Sequence, residues 1–263
     1  MRPWLFSTLA SSVGAIIFGL CSSGSVEGLT PQGRTTVRIV PMNTPERICG
    51  APPHKSMKCI LFHKPYGVLT QFTSGGAAHR TLKEFITIPS VYPVGRLDHD
   101  SEGLLLLTDD GALQHRLSDP RFEHKKTYWV QVERIPTDES LERLETGIEI
   151  QGYWTKPAKI TVMESEPATL APRDPPVRFR KTVPTAWLEL TIAEGKNRQI
   201  RHMTAAIGHP TLRLIRTAIG ALELGRLKPG EWRELSPGEC AALVRQASRN
   251  RKAVEPRLPV RRS

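Results

Sequence analysis

The sequence predicts an α+β fold with a mixed, mainly antiparallel β-sheet and flanking helices. Short apolar or alternating segments recur along the chain and indicate strands, and segments with apolar residues at helical spacing lie between them. Most connections are too short for the repeated crossovers of a parallel sheet, so neighbouring strands should run antiparallel. The sequence shows no internal repeat, which argues against a solenoid or a propeller.

The folded part of the chain is predicted to begin near Lys58. A short apolar strand, KCILFHKP, is ended by Pro65 and Gly67. Thr81 precedes Glu84 by the spacing of a capping box, so one or two helical turns should start there. Three elements follow: VYPVGRL is typical of a strand that leads into a turn, GLLLLT of a buried strand, and DDGALQHRLSD of a short helix.

Alternation predicts the next strand, KKTYWVQVE, in which Tyr128, Val130 and Val132 share one face. A helix is expected in TDESLERLETGI, with Gly147 as its stop. Two further strands are predicted in PAKITVME and TAWLELTIA.

The last third of the chain is predicted to alternate helix, strand and helix. A helix is predicted in EGKNRQIRHMTAAIGHP, where Asn197 is the expected N-cap. The apolar stripe of this helix consists of Ile200, Met203 and Ile207. A strand follows in TLRLIRTAIG. The segment SPGECAALVRQ then opens with Ser236, a Pro and a Glu in the pattern of a strong helix start.

Composition divides the chain into three parts. Residues 1–56 begin with a signal-peptide pattern whose apolar run is too short to span a bilayer, and they continue without periodicity, which predicts disorder. This start indicates either targeting or an upstream start codon that adds non-native residues before Met42 or Met57. Residues 57–247 should form the folded domain, and 248–263 a basic disordered tail.

The charge balance favours polyanionic partners. The chain has 263 residues, with 37 Lys and Arg against 26 Asp and Glu, a formal net charge of +11. Such an excess suits RNA or DNA first and an anionic membrane second, although a basic surface can also serve solubility alone. The four cysteines are scattered, so neither a zinc site nor a disulfide framework is predicted, and a reduced compartment fits best.

Five carboxylates crowd the segment YPVGRLDHDSEGLLLLTDDG and raise three hypotheses. Asp98, Asp100, Glu102, Gly103 and Asp109 stand at positions that an EF-hand calcium loop uses. A Pro and a Gly just before them leave no entering helix, which argues against calcium. A pair of carboxylates could instead serve a glycosidase, although such clusters are common on solvated turns.

The third hypothesis has one working carboxylate, Asp98, at a strand end beside a core-facing Leu97. An ionised Asp in a dry pocket needs a nearby cation, and Arg198 and Arg201 can share one helix face. On this hypothesis Asp100 and Glu102 shape the turn and tolerate amide substitution, and Asp109 or Asp110 begins the next helix.

Four ordered blocks then resemble a known family. They are VGRLDHDSEGLLLLTDDG, KKTYWVQVE, EGKNRQIRHM and LRLIRTAIGALELGRLKPGEWREL, between Lys58 and Leu235. Together they are similar to the RsuA-type rRNA pseudouridine synthases, nearest to the RluE branch, which acts on 23S rRNA and lacks an S4 domain. The resemblance implies the pseudouridine synthase catalytic fold with a central RNA-binding cleft. It also implies a cytoplasmic monomer that isomerises uridine in ribosomal RNA without cofactor, metal or membrane.

The same resemblance implies catalytic roles for three residues. Asp98 matches the essential aspartate, which attacks the sugar or the base, or removes a C2′ proton; the sequence leaves these routes open. Arg201 matches the basic residue that pairs with it, and Tyr128 matches the tyrosine that stacks on the target base. The alternative on the same fold is a non-catalytic RNA-binding or ribosome-assembly protein.

Further positions are expected to bind substrate. Leu214 or Ile215 matches the apolar wall under the base, and Arg96 braces the base or a phosphate unless it forms a salt bridge within its turn. His99 and His202 stand where many relatives carry arginine, which suggests a different choice of target. Candidate phosphate contacts are Lys125, Lys126, Lys196, Arg198, Arg213 and Arg216.

Overall fold

A computed structural model describes residues 57–73, 76, 79–178 and 180–254. The predictions for residues 1–56 and for residues 255–263 lie outside this part of the chain. The strands are β1 (Cys59–Lys64), β2 (Val68–Leu69), β3 (Arg80–Thr81), β4 (Tyr92–Pro93), β5 (Glu102–Thr108), β6 (Lys126–Glu133), β7 (Glu149–Ile150), β8 (Tyr153–Trp154), β9 (Lys159–Met163), β10 (Thr185–Ile192), β11 (Thr211–Ile219), β12 (Leu222–Glu223) and β13 (Trp232–Glu234). The α-helices are α1 (Gly111–Ser118), α2 (Asp138–Thr146), α3 (Gln199–Ala206) and α4 (Pro237–Val254).

One large sheet organises the domain. Its strand order is β13-β1-β5-β11-β6-β10-β9, with β4 beside β5 and β12 beside β11. Every pairing within it is antiparallel apart from β5 with β11, which run parallel. The predicted α+β class with a mixed, mainly antiparallel sheet is therefore confirmed.

The four leucines of β5 fill two cores on opposite faces of the sheet. Leu104 and Leu106 pack in a cluster with residues of α1 and α4, whereas Leu105 and Leu107 pack with residues of β1. All four are fully buried, and each such side chain contributes about 1.5–3 kcal/mol relative to an exposed one. This packing fixes the start of β5, which directly follows the carboxylate-rich turn.

The parallel junction between β5 and β11 requires glycine. Gly103 pairs with Arg216 and has φ +99°, a conformation that L side chains rarely adopt. A Cβ there would lie 2.3 Å from the Arg216 carbonyl oxygen. The two backbones can therefore meet this closely only because no side chain stands between them.

Two helix starts sharpen the sequence predictions. Asp110, not Asp109, begins α1, because its Oδ1 accepts from the backbone N–H of Ala112 and of Leu113 at 2.8 and 3.1 Å. Asp109 Oδ1 instead accepts from the Lys58 backbone N–H at 2.8 Å. At α4 the predicted helix start at Ser236 is confirmed and forms a capping box, since the N–H of Ser236 donates to Glu239 Oε2 at 2.8 Å and the N–H of Glu239 donates to Ser236 Oγ at 3.3 Å.

The C-terminal boundary needs correction. Helix α4 continues to Val254, beyond the predicted domain end at residue 247. Residues 248–254 include Ala, Arg and Lys, which are good helix formers, so the helix extends into the segment whose composition indicated a disordered tail. Within the described residues, no helix has both the length and the apolar character needed to cross a membrane.

Candidate active site

A cleft of about 450 Å³ opens beside the middle of the large sheet. Its walls come from the turn between β4 and β5, from β6 and β11, and from the loop that precedes α3. Eight predicted residues line it: Arg96, Asp98, Lys126, Tyr128, Lys196, Arg198, Leu214 and Arg216. The topology therefore brings together side chains that lie far apart in the sequence.

Hydrogen bonds to the backbone of the residues on either side of Asp98 hold its turn in place. Leu97 is buried, as predicted, and its backbone N–H and C=O both bond to the hydroxyl of Thr70, at 3.2 and 2.6 Å. The N–H of Gly67 donates to the carbonyl of His99 at 2.9 Å. Asp98 itself stays accessible, with 36% of its side chain exposed, so the turn presents one carboxylate to the cleft.

The two helix arginines are arranged differently from the prediction. Arg201 does not pair with Asp98; its Nη2 donates to the Asp100 carbonyl oxygen at 2.8 Å and lies 3.4 Å from Asp100 Oδ2. The cation near Asp98 is Arg198, whose Nη1 lies 3.8 Å from Asp98 Oδ2. Arg198 immediately precedes α3 and lines the cleft, whereas Arg201, three residues further along, contacts the backbone and the side chain of Asp100.

Asp100 is the centre of this charge cluster rather than a simple turn residue. Arg198 forms a fork on it, with Nη1 to Oδ1 at 2.9 Å and Nη2 to Oδ2 at 2.8 Å. Burial raises the pKa of Asp100, but the Arg198 fork and the positive charge of Arg201 outweigh burial and hold that pKa below its usual value. Asp100 therefore ties α3 to the turn that carries Asp98.

The loop before α3 is held by a network that the sequence did not predict. Gln199 is buried and its amide donates to Glu194, while its Oε1 accepts from the Lys196 backbone N–H at 3.0 Å. Arg198 adopts the left-handed conformation, φ 48° and ψ 28°, at the N-cap that was predicted for Asn197. The Gln199 side chain thus closes the turn, and the strained residue is the one that contacts both aspartates.

Glu102 and Arg213 form a buried pair, contrary to their predicted places in a turn and on a phosphate. Arg213 Nε and Nη2 donate to Glu102 Oε1 and Oε2 at 2.9 and 2.8 Å, and Nη2 also donates to the Ala171 carbonyl at 3.0 Å. Glu102 is 2% exposed and Arg213 3%. The pair joins β5 to β11, and because both side chains are buried, Arg213 does not contact RNA phosphates.

The structure separates Leu214 from Ile215. Leu214 lines the cleft with Tyr128, which is 7% exposed. Ile215 packs on the other side of the sheet with Leu104 and Leu106, because neighbouring residues of a strand point to opposite faces. Leu214 is therefore the apolar wall residue of this cleft.

The remaining basic candidates divide into exposed and buried groups. Arg96, Lys125 and Lys196 are exposed, and Lys196 Nζ lies 3.4 Å from the centre of the Tyr153 ring. Arg96 forms no ion pair with any carboxylate of the described chain, so the salt bridge considered for its turn is absent there. Arg216 is buried in the cleft wall.

The two histidines, His99 and His202, contact different parts of the chain. The His99 ring lies 5.2 Å from the His79 ring and 6.3 Å from the Tyr66 ring, centre to centre. His202 Nε2 lies 3.1 Å from the Gln151 amide nitrogen. In the part of the chain that the structure describes, no group of three or more His, Cys, Asp and Glu residues is placed to hold a metal ion.

Lys64 is a fully buried lysine that the sequence analysis did not select. Its Nζ donates to the carbonyls of Val68 and Pro65 at 2.7 and 3.0 Å. Burial lowers its pKa from 10.5 to about 7, even though Glu102, Asp100 and Asp98 oppose the shift. The sequence did contain one indication that Lys64 is buried, because it lies on the same face of β1 as the apolar residues Ile60 and Phe62.

This burial predicts a pH dependence of stability. An unfolded chain keeps the Lys64 proton up to about pH 10.5, whereas the folded protein releases it near pH 7. Between these values the unfolded state binds more protons, so the free energy of unfolding should rise with pH, by at most about 1.4 kcal/mol per unit. Urea unfolding across this range should show a steeper rise for the wild type than for Lys64→Met. Equal slopes would contradict the prediction.

Comparison with known proteins places the chain in a family. Residues 58–206 match the model of the RNA pseudouridylate synthases. A relative from Xanthomonas campestris pv. campestris, named ribosomal large subunit pseudouridine synthase E, is 59% identical over 175 residues, which cover 66% of this chain and 93% of the relative. A protein of the same name from Vibrio parahaemolyticus is 50% identical over 181 residues, covering 69% of this chain and 75% of that protein.

A solved structure agrees with the fold. The structure described as a crystal structure of pseudouridylate synthase superposes with a TM-score of 0.60 at 29% identity, over 71% of this chain and 74% of that one. The family model covers the turn, the strand β6 and the helix α3 that build the cleft. The chain belongs to the RNA pseudouridylate synthase family.

Proposed function

We propose that this protein isomerises uridine to pseudouridine in the ribosomal RNA of the large subunit. The observation that carries the proposal is the cleft itself, which presents one accessible carboxylate, Asp98, together with the ring of Tyr128 in a member of this family. The names of the relatives support large-subunit RNA as the substrate.

Asp98 is the proposed catalytic carboxylate. The reaction breaks the bond between uracil N1 and C1′ and joins C5 to C1′, so positive charge develops on the sugar as the base departs. An ionised carboxylate next to this sugar can stabilise or capture that charge. Arg198 Nη1 lies 3.8 Å from Asp98 Oδ2 and leaves the carboxylate accessible to the substrate.

Tyr128 and Leu214 are proposed to hold the target base. The uridine must leave its stack to enter the cleft, at a cost of a few kcal/mol. An aromatic ring and an apolar side chain on the same face of the sheet offer the extruded base a new stacking surface.

Arg201 is proposed to position the site rather than to contact the substrate. Its bond to the Asp100 carbonyl fixes the backbone two residues after Asp98, and the Arg198 fork fixes the Asp100 side chain. Together these bonds hold the Asp98 turn against α3. This assignment replaces a direct pair between Arg201 and Asp98.

RNA backbone binding is assigned to the exposed cations. Arg96 and Lys196 lie at the cleft, and Lys125 lies exposed just before β6. Their contacts with phosphates would offset the cost of extruding the base, in line with the net charge of +11. We propose that the enzyme acts as a monomer in the cytoplasm, where ribosomal RNA is assembled into subunits.

A pseudouridine map of ribosomal RNA tests the substrate. RNA from a strain that lacks the gene should lose pseudouridine at one or a few large-subunit positions, and the wild-type gene should restore it. Purified protein should then modify an RNA fragment that contains the same position. An unchanged map for both ribosomal subunits would refute ribosomal RNA as the substrate.

A further inference from the structure

Two cations line the cleft beside Tyr128. Arg216 of β11 stands opposite Tyr128 of β6 in the strand register, and Lys126 lies two residues before Tyr128. Residues opposite each other and two apart along a strand share one face, and all three side chains line the cleft. The aromatic ring is therefore flanked by positive charges.

Neither cation is neutralised. In the described chain, no carboxylate forms an ion pair with Lys126 or Arg216. The nearby carboxylates are engaged elsewhere, Glu102 by Arg213 and Asp100 by Arg198. Burial, followed by the charge of Arg216, lowers the pKa of Lys126 to about 8. Two positive charges held together at such a cost point to a ligand that carries negative charge.

Only some of the N–H donors of Lys126 and Arg216 form hydrogen bonds within the protein. Arg216 is 3% exposed; its Nε donates to the Leu104 carbonyl at 2.8 Å, while its buried Nη2 has no protein acceptor among the described residues. Lys126 Nζ donates to the His124 carbonyl at 3.2 Å. A buried donor without an acceptor costs about 1–3 kcal/mol, which an acceptor on the substrate would relieve.

A glycine leaves one approach to Lys126 uncovered. A Cβ built on Gly195, in the loop before α3, would lie 3.6 Å from Lys126 Nζ. A larger side chain at this position would stand against the ammonium group. Gly195 itself lines the cleft, so the ammonium borders the space that the substrate enters.

We propose that Lys126 and Arg216 bind the carbonyl oxygens of the flipped uracil and stabilise the negative charge that the base acquires when its bond to the sugar breaks. The inference rests on the proposed function. It assigns to the base two residues that the sequence analysis had placed on phosphates.

The electron balance of the reaction leaves a negative charge on the departing base. When the N1–C1′ bond breaks, its electron pair stays on N1, and the anion is shared with O2 and, through C6 and C5, with O4. C5 then uses an electron pair to bond C1′, the C5 proton is lost, and N1 is protonated, so the product is an isomer. Fixed cations at O2 and O4 lower the barrier to the first step because their attraction grows as the charge forms.

Depth favours the base over a phosphate as the ligand. Arg216 and Tyr128 are almost fully buried, and the ring that would stack on the uracil lies directly opposite Arg216. Arg96 and Lys196, which are exposed, are better placed for phosphates. A base edge can reach the buried Arg216 and the half-buried Lys126 beside the ring on which it stacks, whereas the backbone stays further out.

The test compares Lys126→Met and Arg216→Met with Lys159→Met, which removes an exposed lysine of β9 outside the cleft. Each protein is assayed in single turnover on a saturating rRNA fragment that carries uridine or 5-fluorouridine at the target. Both cleft variants should lose about 100-fold in rate on uridine and keep their RNA affinity within about twofold. Fluorine withdraws electrons and makes the base a better leaving group, so the loss in the consumption of 5-fluorouridine should be about tenfold smaller. Lys159→Met should match the wild type on both RNAs.

The outcomes are distinguishable. Weaker RNA affinity, a smaller salt dependence and a normal rate at saturation would make these residues phosphate ligands and overturn the inference. Equal losses on both bases would overturn it as well, since a merely structural role does not respond to the leaving group. If Arg216→Met fails to fold, Lys126→Met alone decides by the same criteria. A wild type that leaves both RNAs unchanged would overturn the proposed function and this inference with it.

Discussion

Asp98→Asn is expected to lower the rate of uridine isomerisation by about 10⁴-fold or more, with the fold and the affinity for RNA almost unchanged. The amide has the size of the carboxylate but cannot supply a negative charge or an anionic nucleophile to the sugar or the base. Asp98 is accessible and is not part of a buried network, so its replacement should cost little stability.

Single-turnover assays on the rRNA fragment, with thermal unfolding beside them, measure both parts of this expectation. Asp138→Asn is the matched control, because it removes one exposed carboxylate from the first turn of α2 and should leave the rate unchanged. Asp100→Asn should retain measurable activity, since it weakens the link to α3 without removing the reacting group. An Asp98→Asn protein with near-normal activity would refute the assignment of Asp98 as the catalytic residue. It would favour the alternative in which the protein only binds RNA.

Breaking the buried pair of Glu102 and Arg213 is expected to cost about 3–5 kcal/mol of stability. Arg213→Met leaves a carboxylate in the protein interior without a cation, and Glu102→Leu leaves a guanidinium without its fork. The double variant should be more stable than the sum of the two losses predicts, because it removes both charges together. This expectation replaces the mild effect that the sequence suggested for Glu102.

Urea unfolding of the two single variants and the double variant measures the coupling. Arg233→Met provides the control, since Arg233 and Glu239 form a comparable pair whose side chains are 41% and 34% exposed. Breaking that exposed pair should cost less than about 1 kcal/mol. Single variants at Glu102 and Arg213 that lose no more than this control would show that the buried pair does not stabilise the sheet.

Local patterns predicted most of the secondary structure. The four leucines of β5, the alternation in β6 around Tyr128 and the stripe at Ile200 and Met203 each report a burial pattern that the chain carries in itself. The family resemblance added the order of the blocks, whereas its choice of Asp98 as the catalytic carboxylate stays a prediction. The elements and their order could be predicted because each depends on neighbours within a few residues or on a matched motif.

The partners of the five carboxylates could not be predicted, because they are set by contacts between distant segments. Arg198 lies 98 positions from Asp100, and Arg213 lies 111 positions from Glu102. Helical spacing predicted that Arg198 and Arg201 share a face, but Arg198 precedes α3, and the distance of each from the turn depends on how α3 meets β5. The same limit hid Lys64 and Gln199, whose polar ends are satisfied only in the folded domain.

The position of β11 in the sheet has a consequence for how the protein is made. This strand comes late in the chain yet lies between β5 and β6, which are synthesised much earlier. A nascent chain that has not reached Thr211 holds two partial sheets with unpaired edges, and such edges attract other chains. Closing them requires contacts between distant segments, which slows folding. Asp98 and Tyr128 thus meet across a strand that leaves the ribosome after both of them, so modification must wait until translation of the domain is nearly finished.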